Sequence, residues 1–357
     1  MPEIKADCAF NVMGTLSRRQ ILALLSTTCG ASSMFAPGIA ATAAEVSRDF
    51  AALIKAAKAE GSLTLYSAAT ENVCKRVAEG FAAKYGIKTD YLRLAGVPLE
   101  QRYASEAVSG NVAADVLLLA SDVAGYAKLG LEKGWFEPIE STGLPALTSG
   151  EFPSKYVRGT SAVVQIGPWL IGYNTETVAK KDIPREWTDV LKPMFKGKIF
   201  IPDPANSDAY LDCWALLLDR YGESFFTQLR AQEPRLITGA NIAVQRVAAG
   251  EGALVFPQIV DSIAPTKDKG APIETVTPDF TTGVEMQVLL TSATNAKHPN
   301  TARLFVNYIL SKEGNLVLNG APGIPNMYDV SGLPREYQSP RPETQSRKSD
   351  ILRLFKK

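Results

Sequence analysis

The sequence predicts an α/β fold in two lobes, each a mostly parallel sheet flanked by helices, with crossing strands between them. Three observations predict it. Short apolar strands alternate with helices whose apolar residues fall on one side. That rhythm breaks over residues 160–174 into two extended runs with no helix between them. It then restarts with another strand, polar turn and helix.

The first unit sets the pattern. After a helix over residues 50–58, Leu63, Thr64, Leu65 and Tyr66 follow Gly61 and read as a short buried strand. Val73, Val77 and Phe81 recur every four residues, the spacing of one apolar helix face. Between strand and helix, Ser67-Ala68-Ala69-Thr70 sets two hydroxyls where a helix leaves its first N–H groups unpaired. Such a terminus attracts an anion, although Ser67 and Thr70 acting only as caps is the competing reading. Residues 87–94 read as a second strand and residues 99–108 as the next helix. The run Ala114 to Ala120 is largely apolar, as a strand covered on both faces should be. Ser121 and Asp122 then start a helix reaching about Gly130. Successive strand-helix units imply right-handed crossovers. The polar turns then gather at the strands' carboxyl ends, where open α/β sheets bind ligands.

The runs 162–166 and 169–173 read as chain crossing from one lobe to the other. The rhythm restarts with a strand over residues 198–201, and Asn206 and Ser207 lie in the turn before a helix faced by Leu211, Trp214, Ala215 and Leu218. Tyr221-Gly222 should end that helix. Thr238 to Asn241 precede a further helix with Gly250 as its stop, and a strand runs over 253–256. Residues 284–291 are extended enough to carry the chain back. The expected division is an export signal over 1–44, lobe 1 over 45–168, lobe 2 over 169–280 and a return to lobe 1 over 281–330. A loosely attached tail rich in proline, charge and serine completes it over 331–357.

The N-terminus reads as an address. Arg18-Arg19 precede a moderately apolar run to Ala40, and Ala41-Thr42-Ala43 carries small residues where a signal peptidase cuts. This resembles a twin-arginine export signal, an ordinary secretory signal being the alternative. Residues 1–44 hold Lys5, Arg18 and Arg19 against Glu3 and Asp7, which leaves 35 basic and 35 acidic residues in the remainder. That balance, with no basic stripe among aromatics, argues against nucleic acid as a partner. Of four cysteines, Cys74 and Cys213 lie beyond the signal, each in an apolar helical context, and read as small buried hydrophobes. No residue spacing suits a metal, and no cofactor motif is present.

An ordered set of segments then carries a family resemblance. It comprises Leu65-Tyr66-Ser67, Ala114-Asp115-Val116, Ile171-Gly172-Tyr173-Asn174-Thr175, and Trp187-Thr188-Asp189-Val190 ahead of Phe195-Lys196-Gly197-Lys198-Ile199. Val247-Ala248-Ala249-Gly250-Glu251-Gly252 and Ala296-Lys297-His298-Pro299-Asn300 follow. Over residues 46–328 the chain resembles the extracellular solute-binding proteins of ABC importers, in the branch with ferric-iron and sugar-phosphate binders. The resemblance implies the type 2 periplasmic-binding-protein architecture, a monomer in the periplasm, and one small-molecule solute held between the lobes. Closure about the hinge would favour delivery to an ABC permease in the inner membrane, with no catalysis.

Ferric binders of this branch carry adjacent tyrosines after the strand that here ends at Phe256, where this chain has Phe256-Pro257-Gln258. A ferric-iron protein is therefore the alternative rather than the expectation. Hydroxyls, amides and helix termini remain, and they suit a carboxylate, phosphate ester or phosphonate. The candidate ligand residues are Ser67, Ala68, Thr70 and Ser121 on one side. On the other are Tyr173, Asn206, Ser207, Tyr210, Asn241, Phe256 and Gln258. Arg93, Arg102 and Arg158 offer positive charge, whereas Asp122, Asp208 or Asp261 in the cleft would suit an amine. Asp115, Trp187 and the lone His298 read as structural. An exported enzyme is the rival class, but no Gly-x-Ser-x-Gly elbow or phosphate loop appears. A sensor kinase in place of the permease would change the partner and not the chemistry.

Overall fold

The computed structural model describes residues 37–120, 123–206, 208–320 and 325–356. It divides into an N-terminal unit, residues 1–45, and a main body, residues 46–357. The paired arginines of the expected export signal lie outside the described residues. Helix α1 (Pro37–Glu60) is the first described element.

Lobe 1 is built first. Strand β1 (Ser62–Ser67) leads into α2 (Glu71–Tyr85), β2 (Lys88–Arg93) into α3 (Gly96–Val108), and β3 (Val116–Leu119) into α4 (Val123–Glu132). Two short pieces, β4 (Phe136–Glu137) and α5 (Pro145–Thr148), precede β5 (Val157–Arg158) and β6 (Ser161–Pro168). The reason β3 is apolar at every position is that both its faces are covered. Val116 and Leu118 enter the core beneath α2, while Leu117 and Leu119 enter the one beneath α3 and α4.

The chain passes from β6 straight into β7 (Leu170–Asn174), which belongs to a second sheet. That lobe continues with β8 (Ile199–Pro202), α6 (Leu211–Ala231), β9 (Arg235–Ile237), α7 (Ala240–Ala248) and β10 (Leu254–Gln258). Helix α8 (Val260–Lys267), β11 (Ile273–Val276) and β12 (Phe280–Thr281) follow. Strand β13 (Gly283–Thr291) then rejoins the first sheet, and α9 (Pro299–Leu310) and α10 (Lys312–Asn319) pack on it. The described strands give the orders β2-β1-β3-β13-β6-β5, with β4 on β13, and β11-β7-β10-β8-β9. Pairing is parallel within β2-β1-β3 and β10-β8-β9. It is antiparallel wherever β13 or β7 takes part, so both sheets are mixed. The strand that leaves lobe 1, β6, and the strand that returns to it, β13, run side by side in opposite senses.

Two expectations need correcting. The chain does break at Gly222, whose φ of 69° and ψ of −176° are open essentially to glycine alone, but the helix resumes at once and runs to Ala231. The C-terminal segment is not loosely attached. Strand β14 (Glu336–Tyr337) pairs with β12, and Leu333 and Tyr337 pack against the core of lobe 1. Helix α11 (Lys348–Arg353) then buries Ile351, and Leu354 after it, in the core of lobe 2. Phe355 meets Trp214 edge-on with ring centroids 4.8 Å apart. The apolar spacing of Ile351, Leu354 and Phe355 is that of a helix face, a signal masked by the polar composition around it. Cys74 and Cys213 are free and buried in different lobes.

Candidate ligand-binding cleft

A cleft of about 170 Å³ lies between the lobes, with one wall from each and the crossing strands as its floor. Lobe 1 contributes the ends of its parallel strands: Ala68 and Thr70 after β1, Arg93, Ala95 and Gly96 after β2, and Ala120 after β3. Lobe 2 contributes Ala209 and Tyr210 ahead of α6, Ala240 and Asn241 at the head of α7, and Gln258, Ile259, Asp261 and Ser262 where β10 turns into α8. Gln165, Gly167 and Trp169 rise from the first crossing, and Val284 and Met286 from β13. Register explains the floor: Val284 lies opposite Gly167 and Met286 opposite Gln165, and directly paired residues share a face. Gly283 packs so close to this crossing that an added Cβ would sit 2.6 Å from the Gly167 carbonyl oxygen. No side chain fits there.

Four helices, α2, α3, α7 and α8, point their N-termini into this space. Their first-turn N–H groups lack intrahelical partners and carry partial positive charge. Three buried polar atoms of the lining also have no partner among the described residues: Thr70 Oγ1, Trp169 Nε1 and Gln258 Nε2. Leaving such a group unpaired costs about 1–3 kcal/mol. All three belong to residues that line one cavity, which makes them candidates for pairing with a ligand there. Gln258 is only 1% exposed. Its Oε1 accepts from Ser262 Oγ at 2.6 Å, which leaves the amide nitrogen as the free end. A bulge between Val255 and Gln258 shifts the register of β10 against β7, and bulges commonly re-aim a side chain in this way.

The charged groups are few. Arg93 is exposed on the lobe 1 wall and donates Nε to the Ala69 carbonyl at 3.2 Å. Asp261 is half-buried and accepts from Gln165 Nε2 at 3.3 Å. Burial pushes its carboxyl above the ordinary range, against the pull of Arg76. Tyr210 packs on Trp169 with ring centroids 5.3 Å apart, and burial raises its phenol to about 12.

Five of the residues expected from sequence line the cleft: Ala68, Thr70, Tyr210, Asn241 and Gln258. Three do not. Ser67 is wholly buried, with Oγ accepting from Ala69 N at 3.1 Å, so it shapes the turn behind the wall. Phe256 is equally buried, each ring centroid of Trp187 and Trp214 being 6.1 Å from its own. Tyr173 stands in the second sheet opposite Leu254 and Glu274. Ser121, Asp122 and Ser207 lie outside the described residues, and Asn206 is described only as the last residue of a short 3₁₀ turn. Thr70 is the N-cap of α2 but makes no side-chain cap bond, and Asn241 is the second residue of α7 rather than its cap. Arg102 is held by Glu106. Trp169 and Gln165 were missed as site residues. Their alternation with Gly167 along a crossing strand was the available signal.

A second cavity of about 570 Å³ lies on the opposite face of the β6–β13 ribbon, partly covered by the C-terminal segment. Arg158, Glu285 and Asp212 are in its lining, and burial raises both carboxyls. The three residues expected to be structural all are. Asp115 is fully buried and accepts from Thr64 N at 2.8 Å and from His298 N at 2.9 Å. His298 lies between Asp115 and Ser62 and precedes α9, and Trp187 Nε1 donates to the Phe280 carbonyl at 2.8 Å. Among the described residues no group of three or more His, Cys, Asp or Glu is placed to hold a metal ion.

Two mixed sheets joined by crossing strands, with a cleft between them, are the architecture of a two-lobed binding protein. Residues 115–343 match the family of bacterial extracellular solute-binding proteins. A protein of Haemophilus influenzae described as uncharacterized is 30% identical over 271 residues, covering 72% of this chain and 75% of its own length. The chain belongs to this family of bacterial extracellular solute-binding proteins, whose members bind substrates and are not enzymes. Among solved structures it is similar to the periplasmic binding protein AfuA from Actinobacillus pleuropneumoniae, with exogenous fructose-6-phosphate bound. The identity is 28% over 71% of this chain and 81% of that one, with a TM-score of 0.56. Iron-bound HitA from Pseudomonas aeruginosa shares the fold, with 19% identity, coverage of 83% and 98% and a TM-score of 0.63. The family implies a small-molecule ligand and an ABC permease as partner.

Proposed function

We propose that this protein is a monomeric periplasmic receptor that captures a small organic anion, a carboxylate, phosphate ester or phosphonate, and delivers it to an inner-membrane permease. The observation that carries the reading is the meeting of four helix N-termini with the unpartnered Gln258 and Trp169 N–H donors. Donors without acceptors call for a ligand rich in oxygen lone pairs. Similarity to AfuA, which has fructose-6-phosphate bound, supports a phosphate ester within this class. A ferric ion asks for several anionic oxygens. The cleft lining supplies one carboxylate, Asp261, and one phenol, Tyr210, among the described residues.

A thermal-shift screen of the chain from residue 45 onward tests this. The panel holds carboxylates, phosphate esters including fructose 6-phosphate, phosphonates, amines, sugars and ferric salts. A ligand at a hundred times its Kd stabilises the folded state by about 2.7 kcal/mol. A rise with an anionic class is the expected result. A rise confined to amines, sugars or ferric salts overturns it.

A further inference from the structure

Asp261 is out of place in a cleft built to attract negative charge. It is the second residue of α8, half-buried in the lobe 2 wall. Its one hydrogen bond among the described residues is the 3.3 Å contact from Gln165 Nε2, and it makes no ion pair there. Both nearby guanidiniums keep their charge, and neither is bonded to the carboxylate. Arg76 of α2 donates to the carbonyls of Val317 at 2.7 Å and Leu318 at 2.6 Å. Arg93 stands on the opposite wall and donates to Ala69. The remaining neighbours in the lining are neutral at physiological pH: Gln165 on β6, Gln258 on β10, Ser262 on α8, Tyr210 before α6, and Met286 on β13. Glu285 points to the other face of the ribbon, into the second cavity.

We infer that Asp261 is a proton-linked specificity residue: entry of the anion draws one proton from solvent onto its carboxyl. The inference rests on the anionic reading above. A second negative charge in one small cleft raises the proton affinity of the carboxyl already there, which favours its uptake of a proton. Protonation also changes what the wall offers. A carboxylate only accepts hydrogen bonds, whereas the neutral acid has an O–H to donate to the solute's oxygens. Asp261 thereby joins Gln258 and Trp169 as a donor, and binding strengthens as the pH falls. The raised carboxyl of the empty protein is in keeping with this.

The test measures affinity for fructose 6-phosphate and for sulfate by calorimetry between pH 5 and 8, on the parent chain and on Asp261→Asn. The probe's own titration is common to both proteins and cancels in their ratio. The inference expects Asn, always neutral, to bind more tightly at pH 8. The ratio should close as the pH falls, by up to about tenfold per unit for one linked proton. Calorimetry of the parent in two buffers of different ionisation enthalpy should show uptake of up to one proton, a readout independent of any variant. A ratio that stays constant with no proton uptake overturns the inference and leaves the anionic reading standing. Weaker binding by Asp261→Asn at every pH also overturns it, because the carboxylate then accepts a donor from the solute. Failure of the parent to bind any anion at any pH overturns both.

Discussion

Two neighbouring hydroxyls show how much is decided at the scale of one residue. Ser67 and Thr70 flank the same turn and read alike in the sequence. Ser67 Oγ is spent on Ala69 N, whereas Thr70 Oγ1 is buried beside the cleft with no partner among the described residues. Removing the first should cost about 1–2 kcal/mol through an unpaired buried N–H. Ser67→Ala is therefore expected to lower the melting temperature. Thr70→Val deletes a hydroxyl that earns nothing in the empty protein, so its stability should be unchanged or higher. Its affinity for the anion should fall by about threefold to tenfold, the worth of one hydrogen bond. Calorimetry and thermal melts on the pair check both statements. Equal melting temperatures with equal affinities would remove Thr70 from the site.

At the scale of the element, two helix features carry measurable consequences. The first turn of α9 is capped from a distance by Glu60, which accepts from Asn300 N at 3.1 Å and Thr301 N at 2.8 Å, and from both of their side chains. Burial alone would raise this carboxyl, but the bonds from Thr301 and Asn300 outweigh it and hold it below the ordinary value. A carboxylate with a lowered folded pKa stabilises at neutral pH, and that contribution is lost as the pH falls through the carboxylate range. Glu60→Gln should lower stability at pH 7 and flatten the acid limb of the melting profile, its deficit against the parent shrinking as the pH falls through the carboxylate range. In α6 the break at Gly222 uses a backbone conformation that a Cβ opposes. Gly222→Ala should cost about 1–3 kcal/mol, read by chemical denaturation. An unchanged midpoint would mean that the helix straightens at no cost.

The whole molecule adds a connection that a list of elements does not show. Besides the two crossings, the C-terminal segment touches both lobes, through Leu333 and Tyr337 on the core of lobe 1 and through Ile351 and Leu354 in the core of lobe 2. Arg347 and Arg341 also pair with Asp219 of α6. Surface pairs of this kind contribute little, so the apolar anchor at Trp214 should dominate. Deleting residues 339–357 is expected to lower the melting temperature by several degrees and to shift tryptophan emission to the red as Trp214 loses the cover of Phe355. An unshifted spectrum would show that the anchor is dispensable. Lobe closure is the other property of the whole. A saturating anion should reduce the radius of gyration in solution scattering, since contacts to both walls favour the shut state. Binding without compaction would mean that the lobes are already closed.

The sequence by itself determined the strand-helix rhythm, its interruption at the crossing and its return, because these depend on local apolar periodicity. It also marked the segments after β1, β8 and β9 as polar turns at helix starts, and the structural roles of Asp115, Trp187 and His298. Only the tertiary structure decided which side chains of those turns meet. Ser67, Tyr173 and Phe256 are chemically apt for a ligand, yet strand register and sheet packing turn Ser67 and Phe256 into the core and set Tyr173 against it. Trp169, Gln165 and Asp261 reach the cleft because two crossing strands and a second lobe bring them there from distant points of the chain. The physical reason is that periodicity records whether a residue is buried. What buries it, or what it is left facing, depends on chain folded far away.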